Sequence, residues 1–276
     1  MTTSRKSAAL WSGLALTFGA LAMVACGGGK GGGDNTASAA APAAGDNTAS
    51  AAAPAAAAGP TGTATVSGAI NYDGAVPSLK PVSMSADPTC AAKHTGPVPN
   101  DVLELGANKE LGNVFVYVKD GLPDGTWTAP AAPAVIDQNG CMYHPHVIGV
   151  MVGQKLEFKN SDGLLHNVHA LPTVNQEFNL AMPAERTTAD HTFDQAEGMF
   201  HVKCDVHPWM TSYVGVMKHP FFAVSGADGK FSIANLPAGT YTLEAWHEKL
   251  GTQTQQVTVA DNGTATANFT FKRAAG

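Results

Sequence analysis

From Thr61 onward, apolar residues recur at every second position in short runs, and the runs are bounded by Gly, Pro, Asn or Asp. A period of two puts alternate side chains on one face of an extended backbone, so the pattern predicts antiparallel β-structure with little helix. Val66, Ile70 and Tyr72 share one parity ahead of the Asp73-Gly74 turn signal, and Val114, Val116 and Val118 share another. Phe231 and Ile233, Tyr241 and Leu243, and Phe269 and Phe271 repeat the pattern around Asp228-Gly229 and Leu236-Pro237-Ala238-Gly239. The expected fold class is all-β, built as sandwiches or barrels.

The pattern is different upstream. Arg5 and Lys6 precede an apolar stretch from Ala8 to Ala25, the arrangement of a secretory signal over residues 1–25. The stretch ends Leu21-Ala22-Met23-Val24-Ala25-Cys26, which resembles a bacterial lipobox, with Cys26 as the acylated residue; the other reading is an ordinary secretory signal with an incidental Cys. The Gly that follows Cys26 resembles the sorting pattern of lipoproteins sent to the outer membrane. Residues 26–60 are rich in Gly, Ala and Pro, and Gly33 to Ala44 is repeated without change as Gly45 to Ala56. Such a segment has no side chains able to offset the entropy of ordering, and it reads as a flexible tether.

Composition changes the picture in two ways. The chain has 276 residues and is 44% hydrophobic, but 14 of the 23 residues from Ala37 to Gly59 are Ala, so part of that fraction belongs to the tether. The roughly 216 residues that remain suit two small domains. Lys+Arg 16 against Asp+Glu 22 gives a net charge of -6, which argues against nucleic acid as a partner, because phosphates need clustered Lys and Arg. Four Cys do not make a disulfide scaffold, so each needs its own account.

The most informative stretch is Gly198 to Met210, which reads GMFHVKCDVHPWM. Phe200, Val202 and Cys204 share one strand face, and His207 and Met210 follow in a short loop. A thiolate, an imidazole and a weak thioether at successive spacings of three form the ligand set of a blue copper site once a second His is added. Zinc would not need the Met. The second His is expected from another strand, and Val150 to Asp162 is followed by Gly163-Leu164-Leu165-His166-Asn167-Val168-His169.

Residues 132–218 resemble the cupredoxin family, and within it the amicyanin type, whose ligand loop reads Cys-x2-His-Pro-aromatic-Met. Tyr143-x-Pro145-x-x-Ile148, Val152-Gly153, Phe158-x-Asn160-x-Asp162 and His166-Asn167 carry the likeness together with the loop. The resemblance implies one type 1 copper held by His166, Cys204, His207 and Met210. It also implies that the Asn167 N–H points at the sulfur and that Pro208 removes a donor from it and stiffens the loop. His169 reads as a surface or outer-shell side chain, and Met217 as strand filling. Leu164, Leu165, Pro208 and Trp209 are expected to surround an exposed edge of His207, a docking collar for a redox partner such as a cytochrome or an oxidoreductase. The expected role is one-electron carriage. Copper storage or delivery, or an envelope module with a structural copper, would use the same ligands. Oxidases and nitrite reductases need several His-x-His pairs, and only His144-Pro145-His146 has that form.

Two cysteines remain. A Cys90–Cys141 disulfide is the simplest account in a secreted protein; the alternative is a second metal site from Cys90-x3-His94 and Cys141-x2-His144-x-His146. Ala223 to Val259, containing ADGKFSIANLPAGTYTLEAW, resembles the carboxypeptidase regulatory-like, transthyretin-like β-sandwich. The opening strands of such a domain occur only far upstream, around Val66 to Ile70 and Asn113 to Gly121. The expected organisation is therefore one sandwich from residues 62–128 and 219–272, with the cupredoxin unit, 130–218, inserted. Trp246, His247 and Glu248 read as strand-edge packing.

Overall fold

The computed structural model describes residues 59–273; the signal segment, Cys26 and nearly all of the tether lie outside the described residues. The strands are β1 (Ala64–Tyr72), β2 (Phe115–Asp120), β3 (Ala134–Asn139), β4 (Met142–His144), β5 (Val147–Met151), β6 (Lys155–Asn160), β7 (His166–Leu171), β8 (Phe178–Met182) and β9 (Thr188–Thr192). They continue with β10 (Glu197–Lys203), β11 (Thr211–Met217), β12 (Phe222–Val224), β13 (Lys230–Leu236), β14 (Gly239–His247), β15 (Gly251–Val259), β16 (Thr264–Thr266) and β17 (Phe269–Phe271). One short helix, α1 (Pro88–Ala91), lies between β1 and β2.

Two sandwiches result. In the first, β13, β1 and β16 form one sheet, with β17 also on β1, and β12, β2, β14 and β15 form the other. β1 pairs in antiparallel fashion with β13, Val66 opposite Ile233, and in parallel with β17, Ile70 opposite Phe269. β2 sets Val116 opposite Ala245 of β14. Every alternating residue singled out above, from Val66 to Phe271, is buried in this sandwich. Fully burying a Val or Phe stabilises the fold by about 1.5–3 kcal/mol, which is why the parity of the apolar positions sets the register.

The second sandwich stacks the sheet β5-β11-β10-β7-β8 on the sheet β4-β3-β6-β9. Its core includes Ile136, Tyr143, Leu156, Phe158, Val168, Phe193, Phe200, Val202 and Val214. β2 is buried on both faces: Val116 and Val118 enter the first core, while Phe115 packs with Phe222, Val147, Met151 and Met217 in a third cluster between the sandwiches.

The long connection from β1 to β2 does not stay with the first sandwich. Met84 and Cys90 are buried in the core of the second, with Val82 and Val98 packed against it and paired to each other. Residues 82–98 thus form a strap across one end of the second sandwich. That end carries the candidate site.

Candidate metal centre

β10 delivers Cys204 because its inward positions, Phe200 and Val202, continue the same parity. The chain then turns sharply. Cys204 N–H donates to the Met210 carbonyl at 3.2 Å and Met210 N–H to the His207 carbonyl at 2.9 Å, so the loop is closed on itself before β11 begins. His166 stands at the first position of β7, next to this loop, because β7 pairs with β10. The turn before it is pinned by Asn160, whose amide donates to the Leu164 carbonyl at 2.8 Å and the Met182 carbonyl at 3.1 Å.

His166, Cys204, His207 and Met210 are all buried. One ligand atom from each of His166, Cys204 and His207 lies within 4.8 Å of the others. His166 Nδ1 is 2.9 Å from His207 Nδ1, which is 3.9 Å from Cys204 Sγ. The outer nitrogens face carboxylates: His166 Nε2 is 2.9 Å from Asp162 Oδ2 and His207 Nε2 is 3.1 Å from Asp87 Oδ2. Ionised carboxylates only accept, so each ring carries a proton on Nε2 and turns its Nδ1 inward, where the two Nδ1 atoms share a proton across 2.9 Å. Two imidazole nitrogens and a sulfur converging in a buried pocket suit a cation in place of that shared proton, and carboxylates behind the rings are what orient imidazole ligands.

The electrostatics agree. Burial opposes charge on His166 most strongly, yet Asp162 and the Cys204 sulfur together lift its pKa to about 9. Burial also opposes the Cys204 thiolate, but contacts from His166 and from the backbone N–H groups of Asn167, His207 and Val206 outweigh it and lower the thiol pKa. The His207 N–H lies 3.4 Å from the sulfur. Asp162 is held down to about 2: burial raises it, but His166, the Cys141 N–H, Lys93 and the Gly140 N–H prevail. The pocket therefore stabilises a thiolate and a positive charge together, which is the chemistry of a soft metal site.

The other predicted residues fall around this centre. Asn167 links the two ligand segments through its side chain, Oδ1 accepting from Asp205 N–H at 2.7 Å and Val206 N–H at 3.3 Å. Pro208 is exposed, Leu165 and Val206 are exposed at 52% and 45%, and Leu164 packs on the core. Trp209 is half-buried, its ring 5.1 Å from that of His207 and its Nε1–H donated to the Cys141 carbonyl at 3.0 Å. His169 lies outside, between Glu177 and Asp205. Met217 fills the cluster between the sandwiches.

One expectation is corrected here: His207 has no exposed edge. It is 2% exposed, because Asp87 on the strap covers its outer nitrogen. Nothing in the local sequence announced this, since Asp87 lies 120 residues away. The second metal site is also excluded, because Cys90 and Cys141 are joined by a disulfide. His94 bonds the Gly140 carbonyl, and His146 lies between Asp101 and Glu248. Among the described residues, the other two groupings of metal-type side chains, Asp87–Cys90–His207 and Cys141–Asp162–His166, each contain one half of that disulfide. Cys204 is the free cysteine among the described residues.

The family model of the carboxypeptidase regulatory-like domain matches residues 217–272, from the last residue of β11 through β12 to β17 of the first sandwich. Among solved structures, a reduced, Cu(I) amicyanin variant is similar at 28% identity, covering 31% of this chain and 82% of its own, with a TM-score of 0.28. A purple cupredoxin from Nitrosopumilus maritimus is similar at 22% identity, covering 30% of this chain and 99% of its own, TM-score 0.26. A copper-containing nitrite reductase from Thermus scotoductus SA-01 is similar at 20% identity, covering 36% of this chain and 26% of its own, TM-score 0.28. No curated protein matches the chain.

Proposed function

We propose that this protein is a one-electron carrier with a single type 1 copper, held outside the cytoplasm by a lipid on Cys26 and a tether long enough to let the folded part swing. The observation that carries the reading is the convergence of His166 Nδ1, His207 Nδ1 and Cys204 Sγ in one buried pocket, with Met210 buried beside them. A copper ion held there by two imidazoles and a thiolate, with Met210 as weak axial donor, would supply one-electron chemistry.

The chain's own contribution is rigidity and charge. Asp162 and Asp87 hold the two imidazoles from outside, and the Cys204–Met210 and His207–Met210 backbone bonds fix the loop between them. Backbone N–H groups at the sulfur withdraw charge from it and tune the potential. Donors so held suit a group that changes charge without exchanging ligands, which favours carriage over catalysis. Leu165, next to His166, and Val206, between Cys204 and His207, are exposed, and with Leu164 and Trp209 they form the proposed contact for a redox protein such as a cytochrome or an oxidoreductase.

Absorption and paramagnetic resonance spectra of the copper-loaded chain test the reading. An intense blue oxidised form, reversibly bleached by reduction and lost in Cys204→Ser, is expected. A copper-loaded protein that stays colourless overturns it. Rapid surrender of the metal to a chelator, without reversible redox cycling, would assign storage or delivery instead.

A further inference from the structure

The strap of residues 82–98 has no counterpart in the blue-copper reading, yet it supplies the group that touches His207 from outside. Its attachment is independent of that contact. Cys90 is bonded to Cys141, Lys93 Nζ lies 3.1 Å from Asp162 Oδ1, and Met84 is buried in the core of the second sandwich. Asp87 divides its two oxygens between two tasks. Oδ1 accepts from the N–H groups of Thr89 at 2.8 Å and Cys90 at 3.3 Å, capping α1, while Oδ2 lies 3.1 Å from His207 Nε2.

The disulfide joins this contact to its counterpart on the other imidazole. Cys141 occupies the β3–β4 turn, where Gly140 has φ 63° and Cys141 φ 54°, a left-handed pair that needs support at the non-glycine position. Asp162 gives it by accepting from both N–H groups at 2.8 Å, and the same carboxylate holds His166. One covalent bond therefore ties together the carboxylates that orient both histidines.

We propose that Asp87 is a positioning residue for the metal centre: clamped by the Cys90–Cys141 bond, it fixes the His207 ring with Nδ1 inward and closes its outer edge to water. The inference rests on the copper reading and adds a control that the ligand loop itself lacks. Its chemistry is directional. Asn at position 87 keeps the cap oxygen but presents an N–H₂ group to the His207 Nε2–H, donor against donor. Ser keeps the cap with its hydroxyl and is too short to reach the ring. Both variants leave the disulfide, Lys93 and Met84 in place.

The test compares wild type, Asp87→Asn and Asp87→Ser as the full chain. In the Cu(I) form, the His207 Nε2–H is expected to give a slowly exchanging proton resonance in the wild type, lost to exchange in Asp87→Ser. Copper affinity, from competition with a Cu(I) chelator, should fall about tenfold or more in both variants, as for other outer-shell partners of ligand histidines. Thermal unfolding of the copper-free chains serves as the control for the cap. If the wild type binds copper and turns blue while both variants keep its affinity within about twofold and its proton exchange, the positioning role is wrong and the copper reading stands. If the wild type forms no blue copper complex, both fall together.

Discussion

At the scale of single residues, the ligand loop holds its shape through one amide. Asn167 Oδ1 accepts two N–H groups of the loop, and its Nδ2 donates to Asn179 Oδ1 at 2.7 Å and Asp205 Oδ2 at 3.2 Å. Asn167→Ala leaves the Asp205 and Val206 N–H groups without their acceptor, at a cost of about 1–3 kcal/mol. Urea unfolding of the copper-free chain should show that loss, and unchanged stability would mean that water replaces the amide. Met210 offers a second test at this scale. If Met210 is the axial donor of the proposed copper, replacing its thioether with Leu removes a donor that favours the oxidised ion and the potential of Met210→Leu should rise, whereas Gln, with a harder oxygen, should lower it; voltammetry reads the order. Of the residues that converge, Cys204 and His207 were legible because their types and spacing are local, and His166 because it opens a strand after a turn-rich segment. Asp87 was not, because a lone Asp before a Pro reads as a turn or a helix cap, and it is a cap as well.

At the scale of elements, the period-two parity was readable wherever one face of a strand is buried, from Val66 in β1 to Phe271 in β17. The strap was opaque for the opposite reason. Residues 73–114 carry five Pro and four Gly, and they are held by Cys90, by Lys93 and by isolated bridges rather than by a periodic face. The disulfide closes a loop of 51 residues, so removing it in Cys90→Ser/Cys141→Ser should cost about 4 kcal/mol by chain entropy alone. Denaturation of the double variant checks this, and a loss under about 1 kcal/mol would mean that Met84 and Lys93 anchor the strap unaided. A different tie holds the loop after β7. Glu197, on β10, accepts from the N–H groups of Thr173, Val174 and Asn175. Burial raises its pKa, but these donors and the Asn175 side chain bring it down to about 2. Its folded value lies below the ordinary 4.5, so the stabilisation is complete above 4.5 and disappears as pH falls through about 2. Glu197→Gln should flatten the acid limb of the unfolding curve in that window, and an unchanged limb would assign the acid sensitivity elsewhere.

At the scale of the whole molecule, the two sandwiches are joined by more than the apolar cluster around Phe115 and Phe222. His146, from the second sandwich, lies between Asp101 of the β1–β2 connection, Oδ2 at 3.1 Å from Nδ1, and Glu248 of the first sandwich, Oε1 at 2.5 Å from Nε2. Tyr213 O–H donates to the other Glu248 oxygen at 3.2 Å, and its ring packs 5.2 Å from Trp246. Glu248 is therefore an inter-sandwich contact, not the strand-edge filler expected from its sequence neighbourhood; its partner is 102 residues away and no local pattern points to it. Both ring nitrogens of His146 face carboxylates, so the ring is held as the cation. Burial works against that charge most strongly, but Asp101 and Glu248 overcome it and lift the pKa to about 9 from the ordinary 6.5. A folded value above the unfolded one gives stability that is complete below about 6.5 and is lost as pH rises through about 9. Wild-type unfolding free energy should therefore decline between these limits. His146→Gln leaves the buried Glu248 with only the exposed Lys249 ammonium, 3.2 Å from Oε2, as counter-charge and should cost about 1–3 kcal/mol at pH 6. It should also make the decline shallower, leaving the share carried by His166, whose pKa is likewise lifted to about 9. Chemical denaturation at pH 6, 7.5 and 9 for both proteins decides the point: parallel curves would mean that the junction depends on the Phe115–Phe222 cluster, and converging curves that the His146 ion pairs hold the sandwiches together.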